Sequence, residues 1–448
     1  MKVGIVGAGI TGLALTHHLR EQGVEVVTLE ADSEPGGVLD SERIDGHLVE
    51  HGPQRTRLTD DIEALVDDLG LREDVVDADP SLPLYVYADG KLGRVPFSIG
   101  TFLRTDLLSW RGKLRLLGEP LTAPGSEDEM AADLFTRKFG AEAYRNFIGP
   151  LFGGIYGSDP AEMPAGYAPS PILKLEQRSG SLLKPALKRA FKNERTPPIS
   201  FEEGLQQLPE ALHAANAPAI TFDRPVEAIS ENAEGFVLET GEEDEHVDRV
   251  VVTTPADIAA GLLADLAPDA TDRLRKLTYN PLALVHLIGE VDREGYGYQV
   301  RRDEDLRTLG VSWNSGLFGR TDEDGRGVYT AFLGGMNDHE IIAEDDETIG
   351  EIAAGELEEV MGVEAELLNV TRLPRGFPAW DTSWEVLDDL ELPDGIYLAT
   401  NYTARMGIPG RLRQAEQLAE QFAAEAEEAP ATGAEEATTA GPAESRQE

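Results

Sequence analysis

The first 30 residues combine a strand, a glycine-rich turn, a helix and a second strand that ends on an acid. Lys2–Val6 reads as a short buried strand, Val24–Glu30 reads as a second, and between them lies the turn Gly7-Ala8-Gly9-Ile10-Thr11-Gly12. In a βαβ unit the three glycines permit the tight turn, the approach of the backbone to a pyrophosphate, and the packing of the helix on the strand. The helix N-terminus offers free N–H groups to the phosphates, and the acid is placed to accept hydrogen bonds from a ribose diol. The pattern predicts a Rossmann-like α/β domain that binds a dinucleotide.

A second glycine pair indicates which dinucleotide is bound. Gly36-Gly37 follows shortly after Glu30-Ala31. FAD-dependent oxidases commonly need a close backbone approach here, because their chain folds back over the dinucleotide, whereas nicotinamide-binding domains do not. Gly52-Pro53 belongs to a segment similar to the one that passes the flavin in those enzymes, and no second GxGxxG is present for a nicotinamide coenzyme. We therefore predict FAD, bound non-covalently, with oxygen as the simplest electron acceptor.

Three segments are predicted to build the FAD-binding domain: 1–82, 199–262 and 385–424. A strand and turn at Val250–Pro255 return to the dinucleotide. A late strand leads into an amphipathic helix, Arg413–Ala424, and a helix N-terminus placed next to the flavin can stabilise negative charge on the reduced ring. Beyond the glycine turns and Glu30-Ala31, the predicted cofactor contacts are Val226, Thr254, Asn401, Met406, Gly407 and Ile408.

The remaining residues form two predicted inserts and a tail. Residues 83–198 show helical apolar periodicity and are predicted to be a helical membrane or substrate insert, whereas 263–384 alternate strands with turns and are predicted to be a substrate-binding sheet domain. Residues 425–448 are rich in Ala, Glu, Thr, Gly and Pro, which predicts a disordered acidic tail. The predicted fold class is α/β, a Rossmann-like FAD-binding domain with a mixed α+β substrate domain and a helical insert.

The composition excludes several classes of protein. The chain has 83 acidic against 39 basic residues and a formal net charge of -44, so its overall field repels nucleic acid. The absence of cysteine removes disulfides, thiolate nucleophiles and cysteine-ligated metals, and no histidine pair has metal-binding spacing, so no metal is predicted. A signal peptide and a membrane span are both missing from the pattern, which predicts a cytoplasmic protein. The oligomeric state stays open.

The basic residues are unusual in kind and in position. Nine of the 39 are lysines, and this acid-rich, lysine-poor composition is typical of proteins from a salt-adapted host; an acidic protein at ordinary salt is the alternative. Residues 91–195 nevertheless carry a net charge of +5 and seven of the nine lysines. This surface is predicted to meet anionic lipid headgroups on the inner face of the cell membrane, or substrate carboxylates. A solvated basic helical face is the alternative.

The central sequence resembles a known family. Phe135–Gly140 followed by Pro150–Pro160 is similar to the pattern RxFG…P…GIYxxDP of the protoporphyrinogen and coproporphyrinogen oxidases, within the flavin amine oxidase superfamily; Phe332–Gly335 and Phe377–Trp380 match later parts. The resemblance implies FAD-dependent oxidation of protoporphyrinogen IX or coproporphyrinogen III to the porphyrin, with oxygen as acceptor, in haem biosynthesis. Two alternatives stay open: an amine oxidase or carotenoid desaturase of the same superfamily, and a non-catalytic carrier of FAD and porphyrin.

The same resemblance implies a pocket for a flat macrocycle. Glycine pairs let a planar ring approach, and aromatic side chains can wall it, although core packing is the alternative for any single aromatic residue. The predicted pocket residues are Gly153, Gly154, Ile155, Tyr156, Phe332, Gly334, Gly335 and Trp380. No catalytic residue is assigned because the cofactor carries the chemistry. His47, His51 and His286 are predicted to be structural hydrogen-bonding groups rather than acid–base catalysts.

Overall fold

The strands of the described residues form five sheets. The structure, a computed structural model, describes residues 1–192, 196–404 and 406–428, so residues 429–448 of the predicted acidic tail lie outside the described residues. In chain order the strands are β1 (Lys2–Val6), β2 (Glu25–Leu29), β3 (Ser41–Ile44), β4 (His47–Glu50), β5 (Thr56–Arg57), β6 (Val75–Asp77), β7 (Leu84–Ala88), β8 (Lys91–Arg94), β9 (Pro198–Phe201), β10 (Ile220–Thr221), β11 (Val226–Asn232), β12 (Gly235–Thr240), β13 (Glu245–Val247), β14 (Arg249–Val252), β15 (Tyr279–Glu290), β16 (Gly297–Val300), β17 (Thr308–Ser312), β18 (Arg326–Gly334), β19 (Ala365–Pro378) and β20 (Ile396–Leu398).

Helices connect these strands and build most of the segment between residues 99 and 192. In chain order they are α1 (Ile10–Glu21), α2 (Asp60–Asp68), α3 (Ile99–Arg104), α4 (Trp110–Leu117), α5 (Ala131–Phe139), α6 (Ala141–Ala143), α7 (Gly149–Tyr156), α8 (Ser170–Ser179), α9 (Leu183–Lys192), α10 (Gln207–Asn216), α11 (Ala256–Leu262), α12 (Pro268–Leu274), α13 (Asn314–Phe318), α14 (Asp346–Met361) and α15 (Ile408–Glu428). A π-helical turn, Tyr144–Ile148, precedes α7, and short 3-10 helices lie at Arg72–Asp74, Glu119–Leu121, Ala217–Ala219, His339–Ala343 and Thr382–Leu387.

A five-stranded parallel sheet has the order β10-β2-β1-β14-β20. Its central strand β1 has the predicted bounds, and Val3 and Ile5 are fully buried beside α1 and α15. Parallel strands are covered on both faces, which is why they read as continuous apolar runs in the sequence. Ligands bind such sheets outside the carboxyl ends of the strands, here after Val6, Leu29 and Val252. The predicted fold class is confirmed.

A seven-stranded sheet has the order β19-β15-β18-β17-β16-β7-β8, in which only the β16–β7 pairing is parallel. The sequence reading assigned β7 and β8 to the helical insert, but both strands lie in this sheet. They form a hairpin because Asp89 and Gly90 have φ angles of 51° and 71°, as a two-residue turn between strands requires. An Asp-Gly pair between alternating apolar residues was the sequence signal for that hairpin.

The last helix is longer at both ends than the predicted segment 413–424. It runs from Ile408 to Glu428, so the first four residues of the predicted disordered tail are helical. Alanine and glutamate dominate this stretch, and both favour the helix. Among the described helices, none combines the length and apolar character needed to cross a bilayer.

Candidate cofactor and substrate site

The three glycines after β1 are glycines for different reasons. Gly7 has a φ of 107°, and a Cβ on Gly12 would lie 2.0 Å from the Gly7 carbonyl oxygen, so both positions exclude a side chain for the sake of the fold. A Cβ on Gly9 would come no closer than 3.9 Å to another residue, the carbonyl oxygen of Gly36. The protein therefore has room for a methyl group at Gly9. Its missing side chain keeps the N-terminus of α1 approachable from outside.

The start of α1 is free to bind an anion. Gly9 is the N-cap residue and provides no side-chain cap, and the first turn, which includes Ile10, Thr11 and Gly12, holds no acid. The second glycine pair folds back over this turn: the Gly36 N–H donates to the Ala8 carbonyl oxygen at 3.0 Å, and a Cβ on Gly37 would lie 3.6 Å from the Gly9 Cα. Two stretches of bare backbone therefore meet at one helix N-terminus, as a pyrophosphate site requires.

Glu30 is held at the carboxyl end of β2, beside this turn. Its carboxylate accepts the N–H of Ala8 at 2.5 Å and the N–H of Asp32 at 3.0 Å, while Ala31 is exposed. The arrangement orients a carboxylate next to the phosphate-binding turn, where a ribose hydroxyl pair is expected.

The loop after β14 supplies a hydroxyl that lacks a partner. The Thr253 Oγ1 donates to the Val6 carbonyl oxygen at 2.8 Å, whereas the Thr254 Oγ1 is buried and finds no hydrogen-bond partner among the described residues. A buried hydroxyl without a partner is destabilising. Together with the open Gly9 backbone, this hydroxyl fits a site built for a polar dinucleotide, and the residues that would hold FAD are the glycine turn, Glu30 and Thr254.

The segment after β20 lies at the same edge of the sheet. Val226 and Met406 both pack, partly buried, against the cluster that contains Val6, Leu29 and Val252. Asn401 accepts a hydrogen bond from the Tyr279 hydroxyl at 3.4 Å, Gly407 has a φ of 90°, and Ile408 begins α15. These predicted contacts therefore gather near the carboxyl ends of the parallel strands.

Sequence reasoning missed Arg411 in the first turn of α15. Its Nη1 donates to the Thr400 carbonyl oxygen at 2.5 Å, and burial lowers its pKa to about 10. None of the ion pairs found in the described part of the chain includes it. A signal was available: the N-terminal end of a helix disfavours a cation, so an arginine there suggests an anion nearby.

One face of the seven-stranded sheet is covered by α14, and its cluster of apolar residues includes Val285, Tyr329 and Leu357. Residues that pair across neighbouring strands point to the same face, and the register gives two rows on the opposite face. One row is Asn369, His286, Thr330, Ser312, Gly297 and Leu84; the other is Thr371, Leu284, Phe332, Gly310, Gln299 and Val86. We call this surface the row face.

The segment that the sequence placed beside the flavin lies against the row face. The His51 Nδ1 lies 2.6 Å from the Thr371 Oγ1, and the Asn314 Nδ2 donates to the Gln54 carbonyl oxygen at 2.7 Å. Arg55 makes the third contact, from Nη1 to the Ser312 Oγ at 2.6 Å. Gly52 is needed for packing, since its Cβ would lie 1.9 Å from the Val38 carbonyl oxygen. Pro53 follows it, and the segment joins the cofactor-binding residues to the sheet.

The glycines of the predicted substrate pocket are tightly packed. Protein atoms lie within 3.0 Å of the position that a Cβ would take at Gly153, Gly154, Gly334 and Gly335; at Gly154 the atom is the Gln299 Oε1, at 1.6 Å. These glycines let α7 lie close to the sheet, so the open room that we expected beside them is taken by protein atoms. Ile155 on the same helix is 48% exposed. The contribution of these residues to a pocket stays a prediction.

Aromatic side chains of α7 continue into a row of contacts with two tryptophans. The Tyr156 ring lies 5.5 Å from those of Phe152 and Trp380, and Trp380 stacks on Trp384 at 3.8 Å. Phe332 instead packs with aliphatic residues in the middle of the row face. The Trp380 Nε1 is buried and has no hydrogen-bond partner among the described residues.

The histidines have structural partners. Burial lowers the pKa of His286 to about 3, and His51 adds to the shift, so His286 is neutral in the working range and lies 3.3 Å from the Thr330 Oγ1. His47 lies 3.7 Å from Asp322. The His286 contact has the length of a hydrogen bond, whereas 3.7 Å is too long for one at His47, so the structural role predicted for these histidines stays a prediction.

His17, Glu21 and Asp68 bring donor atoms within metal-binding distance of one another. The Asn216 Oδ1 accepts from Arg20, so its amide nitrogen donates to the His17 Nδ1 at 3.2 Å. The proton of a neutral His17 is therefore on Nε2, where it reaches Asp68 at 2.8 Å. These contacts join His17, Asn216 and Asp68 in a hydrogen-bond network.

Comparison with known proteins agrees with this geometry. The model of the family "Flavin containing amine oxidoreductase" matches residues 10–421. The chain is 28% identical to the chloroplastic protoporphyrinogen oxidase of Oryza sativa subsp. japonica over 90% of this chain and 84% of the relative, and 28% identical to coproporphyrinogen III oxidase of Staphylococcus aureus over 84% and 88%. A crystal structure from Exiguobacterium sp. 255-15, provisionally named a protoporphyrinogen oxidase, superposes with a TM-score of 0.78 at 25% identity, covering 95% of this chain and 99% of that one.

The class follows from the fold, the site and these matches. The chain belongs to the flavin-containing amine oxidoreductase family. It is an FAD-dependent oxidoreductase, and the predicted cofactor is confirmed as FAD.

Proposed function

We propose that the protein oxidises a porphyrinogen, protoporphyrinogen IX or coproporphyrinogen III, to the porphyrin. The observation that carries the proposal is the row face, which bears neutral residues and is met on one side by the segment 51–57 and on the other by α7. Most of its residues are buried, and the partly exposed ones are Leu84, Gln299, Phe332, Asn369 and Thr371. Such a surface suits a large flat substrate. Relatives that span most of the chain are named for both porphyrinogens.

The chain's own residues orient the substrate and exclude water from it. FAD, when bound, accepts two electrons and a hydrogen in each round of oxidation. Conversion of a porphyrinogen to a porphyrin removes six hydrogen atoms, so three rounds, with three molecules of oxygen reduced to hydrogen peroxide, balance the reaction. No side chain is assigned as a nucleophile or general base; His286 on the row face is fully buried, and its pKa, lowered to about 3, makes it a weak base. The place of the reaction would be haem biosynthesis.

The test is an assay of purified, flavin-loaded protein with both porphyrinogens. Porphyrin is followed by fluorescence and peroxide by a coupled dye, in a series of KCl concentrations up to the molar range, because the composition predicts adaptation to salt. Fluorescent porphyrin with about three peroxide molecules for each supports the proposal. Turnover of a polyamine or of phytoene, or bound flavin without any turnover across the salt series, would contradict it and favour one of the two alternatives.

We further propose that α3, α4 and the adjoining turns rest on an anionic membrane. Seven large apolar side chains of this stretch are exposed: Phe97, Ile99, Leu103, Trp110, Leu114, Leu117 and Leu121. Trp110, Leu114 and Leu117 lie at i, i+4 and i+7, so α4 turns an apolar stripe outward while Lys113 and Leu116 are buried. Exposed apolar stripes of this kind mark interaction sites.

The positive charges beside this apolar stripe favour contact with anionic lipid. Arg104 and Arg111 are exposed between the apolar residues, and α9, with exposed Lys184 and Lys188, packs on the Glu119–Leu121 turn. A protein with a net charge of -44 is repelled by an anionic surface unless it presents a basic face. Two of the lysines counted in the sequence do not take part: Lys113 and Lys138 are buried.

Flotation with vesicles of phosphatidylglycerol and phosphatidylcholine tests the contact. We expect the double variant Trp110→Glu, Leu114→Glu to reduce vesicle binding at least tenfold. The matched control is Ile258→Glu, Leu367→Glu, because these two side chains are also exposed but lie elsewhere in the chain. Equal binding by both double variants, or binding that is indifferent to phosphatidylglycerol, would rule the contact out.

A further inference from the structure

Arg55 has an unusual set of partners for a partly buried arginine. Its Nη1 donates to two neutral oxygens, the Ser312 Oγ at 2.6 Å and the Asn314 Oδ1 at 2.9 Å, and its guanidinium lies over the Tyr296 ring, 5.2 Å from the centroid. Burial lowers its pKa to about 10. Most buried or half-buried arginines among the described residues form an ion pair with a carboxylate. Arg55 is not among them. A desolvated cation of this kind is costly unless something charged pairs with it.

The free edge of the guanidinium is open to a ligand. Only Nη1 makes a hydrogen bond to the described residues. Nε and Nη2 are not among the fully buried side-chain atoms that lack a partner, so each keeps some accessible surface although the side chain is half-buried. Nε and Nη2 form the edge that binds a carboxylate through two parallel hydrogen bonds. Anchoring Nη1 on Ser312 and Asn314 orients that edge and reduces the side-chain entropy lost on binding.

The position of Arg55 connects this edge with the proposed substrate surface. Its anchor Ser312 belongs to the row that continues through Gly297 to Leu84 on the same face of the sheet. Gly297 has no side chain and Leu84 is aliphatic, so neither provides a charge beside the guanidinium. Arg57, two residues along, is exposed and donates to the Thr196 carbonyl oxygen instead. Arg55 is therefore the cation that this end of the row face offers.

We infer that Arg55 determines specificity by binding a carboxylate of the substrate through its Nε–Nη2 edge. The inference rests on the proposed function, since porphyrinogens carry propionate side chains. The inference adds that Arg55 is the residue that binds a propionate. Arg55 lies in the segment 51–57, between the cofactor-binding turns and the row face. No bond is made or broken in this step, and Arg55 is a binding residue rather than an acid or a base.

The test compares two stable macrocycles that differ only in their carboxylates. Protoporphyrin IX and its dimethyl ester are titrated into the flavin-loaded protein in the same detergent, and binding is followed by quenching of protein fluorescence. We expect the wild type to bind the free acid at least tenfold more tightly than the ester, a difference of about 1.4 kcal/mol. Arg55→Met should reduce that preference to within about threefold, and Arg55→Lys should keep part of it. The control Arg57→Met should behave as the wild type.

The outcomes separate this inference from the proposed function. If the wild type binds acid and ester equally, or if Arg55→Met keeps the full preference, the assignment of Arg55 is wrong while the macrocycle site stands. If Arg57→Met loses the preference as well, general surface charge explains it, and the assignment also fails. If the wild type binds neither compound, the proposed function and the inference fail together. Visible absorbance reports the flavin content of each variant, and a change in flavin content with an unchanged acid preference would assign Arg55 to the cofactor instead.

Discussion

The glycine turn at the N-terminus and the row face of the seven-stranded sheet are built in opposite ways. The turn takes its shape from 30 consecutive residues, with Glu30 held by the N–H of Ala8 and Gly12 pressed against the Gly7 carbonyl oxygen. The row face takes its residues from strands between β7 and β19, about 290 positions apart in the chain. The difference explains why one region could be read along the sequence and the other could not.

The comparison also shows that glycines are needed in this molecule for different reasons. Gly12, Gly154 and Gly334 are required because protein atoms already lie where a Cβ would be, whereas the protein leaves that position free at Gly9. A glycine whose Cβ position is filled by protein atoms is a packing residue. One whose Cβ position is free, and whose φ is negative as at Gly9, is a candidate for ligand contact, whereas Gly90 is free but is needed for its positive φ in a turn. Three substitutions test how far the two regions depend on these features.

The largest effect is expected for Gly12→Ala. The new methyl group would lie 2.0 Å from a backbone oxygen, which no side-chain movement can relieve, so α1 must move away from β1. We expect loss of bound FAD and a decrease of at least about 3 kcal/mol in the free energy of unfolding of the apoprotein. Urea unfolding followed by circular dichroism, with flavin absorbance, measures both. A stable apoprotein that still binds FAD would break the assignment of Gly12 to packing.

Gly9→Ala is expected to separate binding from folding. Gly9 has φ and ψ angles of -69° and 175°, which alanine adopts without strain, and its Cβ would meet no protein atom closer than 3.9 Å. The apoprotein should therefore keep its unfolding midpoint, while the methyl group obstructs the approach of a phosphate and weakens FAD binding at least tenfold. Titration of apoprotein with FAD gives the affinity. Unchanged affinity would mean that the pyrophosphate lies elsewhere.

Glu50 lies where the two regions meet, and its effect is expected in the pH dependence of folding rather than in cofactor binding. This buried carboxyl group precedes the segment 51–57, and burial raises its pKa to about 7 although it accepts hydrogen bonds from Ser41 and from the Leu205 N–H. A raised pKa means that the unfolded chain releases the proton first. Stability from this group is therefore complete below about pH 4.5 and is lost as the pH rises through 7, by roughly 3 kcal/mol in all.

The variant Glu50→Gln removes that titration. Relative to the wild type, its free energy of unfolding should increase between pH 5 and pH 8, and urea unfolding at several pH values measures the difference. Glu42→Gln is the control, because Glu42 is exposed on the neighbouring strand β3. A constant difference between Glu50→Gln and the wild type across this range would show that the carboxyl group titrates normally.

The parts of the fold that depend on neighbouring residues were predictable. β1 has the predicted bounds, β2 and α15 were found to within a few residues at most of their ends, and the glycine turn has the expected geometry. The hairpin of β7 and β8 was predicted as part of the helical insert but belongs to the seven-stranded sheet. Its two-residue Asp-Gly turn was not taken as a hairpin signal. Arg411 was overlooked although its place in the first turn of a helix was a signal, whereas Arg55 has no such signal, and only the folded structure shows that no carboxylate of the described residues lies beside it.

The sequence by itself determined the dinucleotide-binding turn, the α/β class and the family, because these depend on residue spacing within short stretches, where backbone geometry alone decides which contacts form. Only the tertiary structure decided which residues share the row face, that Gly154 packs against Gln299 while Gly9 leaves its Cβ position free, and that Arg55 presents an unpaired edge. The physical reason is that strand register, burial and charge pairing join residues far apart in the chain. The energies of these interactions depend on the residues that surround each side chain after folding. Those residues are not its neighbours in the sequence.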